Sequence, residues 1–210
     1  MNEKVYMHSI NNSRRYFNAK ESRKVLKQVL DDGALLSLRL QGKDYPIGFN
    51  GLDYISLCDF ERRFIVHEGT TSYNAFYGYI RYGLALAFRK EEINAIVPEL
   101  ISICTGKNRH FYMKELGLSE YRCSDLPDEV QVKDKVSLNH LDYLTFPVDE
   151  YFDNRLLLST NSRRNALIKE IEELKRLLQD YNIEKNIYDI SSHIMLDSEG
   201  IDRLLLTKSK

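Results

Sequence analysis

The stretch PDEVQVKDKVSLNHLDYLTFPV, from Pro127 to Val148, constrains this chain more than any other. Val130, Val132 and Val136 alternate with Gln131, Lys133 and Lys135, the period-two pattern of a strand with one buried and one wet face. The turn-like SLNHLD then leads into a second short strand, Tyr143 to Val148. A single carboxylate, Glu129, heads the first strand, whose other positions read as ordinary sheet.

The rest of the chain mixes strands with helices. Val5 to Ser9 reads as a short strand, followed by the basic NNSRR. A helix comes next: Asn18 can cap it, Glu21 closes a capping box, Val25, Leu26, Val29 and Leu30 share an apolar face, and Gly33 ends it. Ala34 to Leu40 is apolar-rich and breaks at Gly42, Pro46, Gly48 and Gly51, a loop long enough to border a site. Tyr54 to Cys58 has the residues favoured in strands. After a polar loop from Arg62 to Ser72, tyrosines crowd the segment up to Gly83, and LALAF reads as a strand ending in RKEE. Pro98 predicts a short helix and an irregular segment within 91–103.

The last third changes character. Leu167, Ile171, Leu174, Leu178 and Tyr181 recur at alternating spacings of four and three, the seam of an amphipathic helix. Two heptads are too few for an autonomous coiled coil, so the seam predicts a helix packed on the domain, with a helix that binds a partner protein or self-associates as the alternative. The organisation expected is one α/β (α+β) domain over 1–150 and a helical extension over 151–210.

Composition narrows the function classes. Of 210 residues 43% are hydrophobic, enough for a sizeable core. Thirty basic against thirty-one acidic residues leave a net charge of -1, which removes the global positive field of many nucleic-acid binders and leaves room only for a local basic groove. Cys58, Cys104 and Cys123 have no CxxC spacing, so neither a disulfide framework nor a zinc site is expected and the chain reads as cytoplasmic. His8, His67, His110, His140 and His193 are scattered, and no metal is expected. No apolar run reaches the roughly 18 residues of a membrane span, and MNEKVYMHS lacks a signal-peptide core. The phosphate-cradling GxxxxGK[ST], the zinc motif HExxH and the nucleophile elbow GxSxG are all missing.

Four short segments follow one another in a suggestive order: Tyr6-Met7-His8-Ser9, Tyr54-Ile55-Ser56, Tyr79-Ile80-Arg81-Tyr82-Gly83 and Glu129-Val130-Gln131-Val132. Together, over residues 5–148, they resemble the motifs of ADP-ribosyltransferases, specifically the histidine-to-glutamate group that includes nucleic-acid-modifying bacterial toxins and abortive-infection proteins of antiviral defence. The resemblance implies a split antiparallel sheet with flanking helices and NAD as the substrate. By the same resemblance His8 would hydrogen-bond the nicotinamide-side ribose, Ser9 would line the carboxamide pocket, and Tyr54 and Ser56 would form the supporting middle motif. Tyr79 or Tyr82 would stack on nicotinamide, and Glu129 would be the catalytic residue. The chain departs from the arginine-specific group, which has Glu or Gln two residues before its glutamate; here that position is Pro127. Protein arginine is thereby a weaker acceptor than nucleic acid.

A glutamate suits this chemistry because cleavage between nicotinamide and ribose develops positive charge on the sugar, which a nearby carboxylate stabilises. The same group can act as a base toward the incoming nucleophile. Arg14, Arg15, Arg62, Arg63, Arg81 and Arg89 could contact the NAD pyrophosphate or an acceptor backbone, although most arginines of this kind are solvated. RNA 2′-phosphotransfer shares the architecture but expects a more basic site. The reading from another class is a non-catalytic transferase-like module, an antitoxin, immunity or scaffold protein, with the C-terminal helix binding its partner and no membrane involved.

Overall fold

The computed structural model describes residues 5–10, 17–41, 54–59, 83–96, 101–102, 129–153 and 159–207. The tyrosine-rich segment with Tyr79 and Tyr82, the loops expected from Gly42 to Gly51 and from Arg62 to Ser72, Pro98, Cys104 and Cys123 lie outside the described residues.

Strand β1 (Val5–Ser9) is followed by helix α1 (Ala19–Asp32). The Asn18 backbone is extended, at φ -124 and ψ 103, and its Oδ1 accepts the Glu21 N–H at 3.2 Å. Gly33 ends the helix in the left-handed region at φ 64, where a Cβ would be strained. Losing the cap leaves a helix N–H without a protein partner, so Asn18→Ala is expected to cost about 1 kcal/mol in denaturant unfolding and Asn18→Asp almost nothing. Equal midpoints for Asn18→Ala and the parent chain would show that the cap contributes nothing.

The chain continues through β2 (Ala34–Leu36), a single turn α2 (Leu38–Gln41), β3 (Tyr54–Asp59), β4 (Ala85–Arg89), α3 (Lys90–Ile96) and β5 (Ile101–Ser102). Then come β6 (Glu129–Lys133), β7 (Lys135–Ser137), β8 (Leu141–Phe146), α4 (Val148–Asp153), α5 (Thr160–Gln179), β9 (Ile187–Asp189) and α6 (Ser198–Thr207).

The fold is mixed α/β. Its main sheet has seven described strands in the order β5-β6-β3-β1-β4-β8-β9, and β2 and β7 form a separate two-stranded ribbon. Every pairing is antiparallel except β8 with β9.

Three expected boundaries move, each for a local reason. The valine alternation predicts one strand through Val136, but Asp134 adopts φ 63 and breaks it, sending Val136 to pair with Leu35 in the ribbon. Aspartate is among the few residues that tolerate this conformation. SLNHLD forms one 3-10 turn at Leu138–His140, capped by Ser137, whose Oγ accepts the Asn139 N–H, so β8 begins at Leu141 rather than Tyr143. It ends at Phe146 because Pro147 has no N–H to give the ladder, and Val148 already belongs to α4.

The helices gather on one face of the sheet. Leu26 and Leu30 of α1, Ile55 and Leu57 of β3, Leu86 and Phe88 of β4, and Leu144 and Phe146 of β8 share one core with Leu167, Ile171, Leu174 and Leu178 of α5 and Leu204 of α6. The seam of α5 therefore packs against its own chain, and Tyr181 beyond it bonds the Asp31 carboxylate of α1. Residues beyond 150 also supply β9, which lies parallel to β8. The other face carries a smaller cluster, Val5, Met7, Ala85, Ala87, Tyr143 and Ile190 with Tyr188, to which no described helix contributes. No helix among the described residues is long and apolar enough to cross a membrane.

Candidate active site

Strand register decides which sequence-marked residues can meet. Side chains alternate across a sheet, and directly opposed residues on neighbouring strands share a face. Glu129 of β6 stands opposite Cys58 of β3, Cys58 opposite Met7 of β1, Met7 opposite Ala87 of β4, and Ala87 opposite Tyr143 of β8. This transverse row runs along the face away from the helices, since Met7, Ala87 and Tyr143 belong to the smaller cluster. Positions 54 and 56 have the parity of Cys58, and Ser9 has the parity of Met7. The register thus puts Ser9, Tyr54, Ser56 and Glu129 at positions on one face. Two strand spacings, about 10 Å, separate the Glu129 and Met7 backbones.

His8 falls on the opposite face. It stands opposite Leu86, has the parity of Tyr6 and Ile10, which sit in the helix-covered core, and is 3% exposed. Adjacent residues of a strand cannot line one pocket from the same side, so a His-Ser pair is divided by the pleat itself. The register puts position 129 on the same face as Ser9, Tyr54 and Ser56, with Ser56 opposite Gln131 and Tyr54 opposite Lys133 further along β6, and leaves His8 on the other face. Tyr79 and Tyr82 lie outside the described residues.

The same face carries a group that strand patterning did not single out. Tyr143, Tyr188 and His193 meet as three rings, with centroids 5.1 Å apart for the tyrosines and 5.0 and 5.4 Å from His193 to Tyr188 and Tyr143. The Tyr143 hydroxyl lies 3.3 Å from His193 Nε2. His193 holds φ 58, a conformation that a non-glycine residue keeps only when its surroundings impose it. Here they do: Asp189 is fully buried, its Oδ2 accepts both the Ser192 N–H and Oγ–H at 2.7 Å, and the His193 N–H donates to the Asp189 carbonyl at 2.9 Å. The sequence signal was the Asp-x-x-Ser turn before His193, which aspartate chemistry makes readable. Beside the rings lies Thr145, opposite Tyr188 in register and 1% exposed, whose hydroxyl has no hydrogen-bond partner among the described residues.

A second titratable cluster ties α3 to the turn before β8. His140 Nδ1 lies 2.8 Å from Glu92 Oε2, Arg89 Nε lies 2.6 Å from Glu92 Oε1, and the Arg89 guanidinium also donates to the Asn139 carbonyl at 2.9 Å. The hydrogen bond from His140, with the Arg89 charge behind it, holds the Glu92 carboxyl below the usual range. The folded state therefore favours ionised Glu92. Its contribution is complete above the ordinary carboxylate range and is lost as pH falls through the lowered value. Glu92→Gln is expected to flatten that part of the stability-against-pH curve in denaturant titrations at acid pH, and a curve identical to the parent's would remove the pair from the account. Among the described residues no three His, Cys, Asp or Glu side chains are grouped to hold a metal ion.

None of the family models, curated proteins or solved structures compared with the chain matches it.

Proposed function

We propose that the chain cleaves NAD between nicotinamide and ribose and transfers the ADP-ribose to a macromolecular acceptor, nucleic acid before protein, with Glu129 as the catalytic carboxylate. The observation that carries this reading is the transverse register, which sets position 129 on the same face as Ser9, Tyr54 and Ser56. The mainly antiparallel sheet of a mixed α/β fold is the coarse architecture this reading expects.

In the reaction, the bond from ribose C1′ to the nicotinamide nitrogen breaks and its electron pair leaves with nicotinamide. The Glu129 carboxylate stabilises the positive charge left on the sugar, where a fixed anion in a water-poor site is worth most. The acceptor's nucleophilic atom then bonds to C1′ and its proton passes to Glu129. Ser9 and Ser56 are two hydroxyl-bearing positions on that face and serve the carboxamide pocket in this scheme, with Tyr54 beside Ser56 in the same motif. His8 is a core residue in this scheme and takes no part in holding NAD. A tyrosine at 79 or 82 would supply the stacking surface.

The burial of His8 behind the sheet is also the observation that favours the other reading, a non-catalytic transferase-like module of antitoxin, immunity or scaffold type. Mass spectrometry of the purified protein incubated with NAD and separate pools of DNA, RNA and cell lysate separates the two. Nicotinamide release with adducts on one pool supports transfer and names the acceptor class. Intact NAD in every pool, with no NAD binding by calorimetry, supports the binding module.

A further inference from the structure

A carboxylate that acts on NAD meets an electrostatic problem. The pyrophosphate is joined to C5′ of the same ribose whose C1′ carries nicotinamide, so its negative charges come within one sugar of the Glu129 carboxylate and repel it. That repulsion is strongest where water is excluded, and a cation on the same face of the sheet offsets it. The described strands of the main sheet hold two basic residues, Arg89 at the end of β4 and Lys133 at the end of β6.

Arg89 is engaged elsewhere. Its Nε lies 2.6 Å from Glu92, its guanidinium donates to the Asn139 carbonyl at 2.9 Å, and β4 is three strands away from β6 in the sheet order. Lys133 is exposed and makes no ion pair or side-chain hydrogen bond among the described residues. Val132 before it is 4% exposed and stands opposite Ile55, both in the helix-covered core. Lys133, opposite Tyr54, is therefore on the other face, that of position 129. Four residues of extended chain separate the two, about 13 Å between backbones. Asp134, at φ 63, turns the chain out of the main sheet directly after Lys133, and its carbonyl accepts the Ser37 N–H at 2.8 Å. The lysine thus stands at the end of the strand on a pinned backbone, with a flexible four-carbon stem that can reach back along β6 toward the ribose.

We propose that Lys133 binds the pyrophosphate of NAD and so holds the dinucleotide with its nicotinamide ribose at position 129. The inference deepens the transferase reading and rests on it: Glu129 supplies the charge for the sugar, and Lys133 the charge for the phosphates. An ammonium is a compact point charge with rotatable donors, which suits phosphate oxygens that turn about their own bonds. The pyrophosphate takes no part in the bond that breaks, so this contact is the same before and during cleavage. Lys133 is accordingly a binding residue, acting on affinity and not on the chemical step.

Calorimetry with ADP-ribose, which keeps the pyrophosphate and has no nicotinamide to lose, tests the contact apart from turnover. Lys133→Ala is expected to weaken ADP-ribose binding by roughly tenfold or more, the loss of one charge-assisted contact, and Lys133→Arg to recover most of it because the charge stays. Raising salt from low to physiological strength should weaken the parent chain more than Lys133→Ala, whose missing charge leaves less to screen. Lys135→Ala removes the exposed lysine beyond the Asp134 turn, in the ribbon strand β7, and is expected to bind like the parent. In nicotinamide release Lys133→Ala should raise KM for NAD by a similar factor with little change in kcat. The unfolding midpoint should not move, since Lys133 has no partner among the described residues to lose. Equal affinity for ADP-ribose in the parent and Lys133→Ala, or equal weakening by Lys133→Ala and Lys135→Ala, would overturn the proposal. If the parent cleaves NAD while Lys133→Ala binds ADP-ribose as the parent does, this inference alone fails and the transferase reading stands. If ADP-ribose binding depends on Lys133 while NAD stays intact, the phosphate contact stands and the cleavage reading fails. A parent chain that binds neither NAD nor ADP-ribose removes both.

Discussion

Truncation of Leu174 to alanine is expected to destabilise the chain by about 2–5 kcal/mol, the range for deleting a fully buried leucine side chain. Leu174 is 0% exposed and lies in the middle of the α5 seam, in the core shared with α1 and the sheet. In urea the midpoint should fall with little change in slope, whereas Leu206→Ala, at a side chain 69% exposed, should stay within about 0.5 kcal/mol of the parent. An unchanged midpoint for Leu174→Ala would mean that α5 does not pack on the domain. The expected result bears on function as well. Substitutions in the seam would abolish any biological effect by unfolding the domain, so they cannot by themselves reveal a partner helix. For the same reason residues 1–150 are not expected to fold alone: without 151–210 they lose the cover over Leu26, Leu30, Leu144 and Phe146 and the β9 edge beside β8.

The second large effect is chemical. Glu129→Gln keeps the shape of the side chain and removes its charge, and is expected to slow nicotinamide release by about 10²–10³-fold, as for loss of one preorganised electrostatic stabiliser. Because the charge matters most once the sugar becomes cationic, NAD affinity should change far less than the rate. β6 is held by β3 on one side and β5 on the other, so the amide should leave the sheet intact. A rate that falls only in proportion to NAD affinity would make Glu129 a binding residue and not a catalytic one.

Local elements were the most legible part of this sequence. Asn18, Glu21 and Gly33 mark both ends of α1 because capping chemistry is carried by neighbouring residues. The α5 seam was legible for a related reason, since helical periodicity and burial coincide at Leu167, Ile171, Leu174 and Leu178. The break at Asp134 was hidden, because one residue at positive φ interrupts a valine alternation that otherwise reads as continuous strand.

The site was legible only in part. Parity within a strand is readable from sequence and already separates His8 from Ser9. Which parity of β6 matches which parity of β1 depends on the pairing register through β3, and no local signal contains it. The Tyr143–Tyr188–His193 cluster was hidden for the same kind of reason: its members meet through the parallel pairing of β8 with β9 and a turn fixed by buried Asp189.

The most direct test is the rate of nicotinamide release from NAD by the parent chain, Glu129→Gln and His8→Gln, measured at a temperature where circular dichroism shows all of them folded. With the site on the face away from the helices, Glu129→Gln should lose release while His8→Gln keeps it to within severalfold and instead lowers the unfolding midpoint. Release abolished by His8→Gln in a folded protein, with Glu129→Gln as fast as the parent, would put the chemistry on the other side of the sheet and contradict the account.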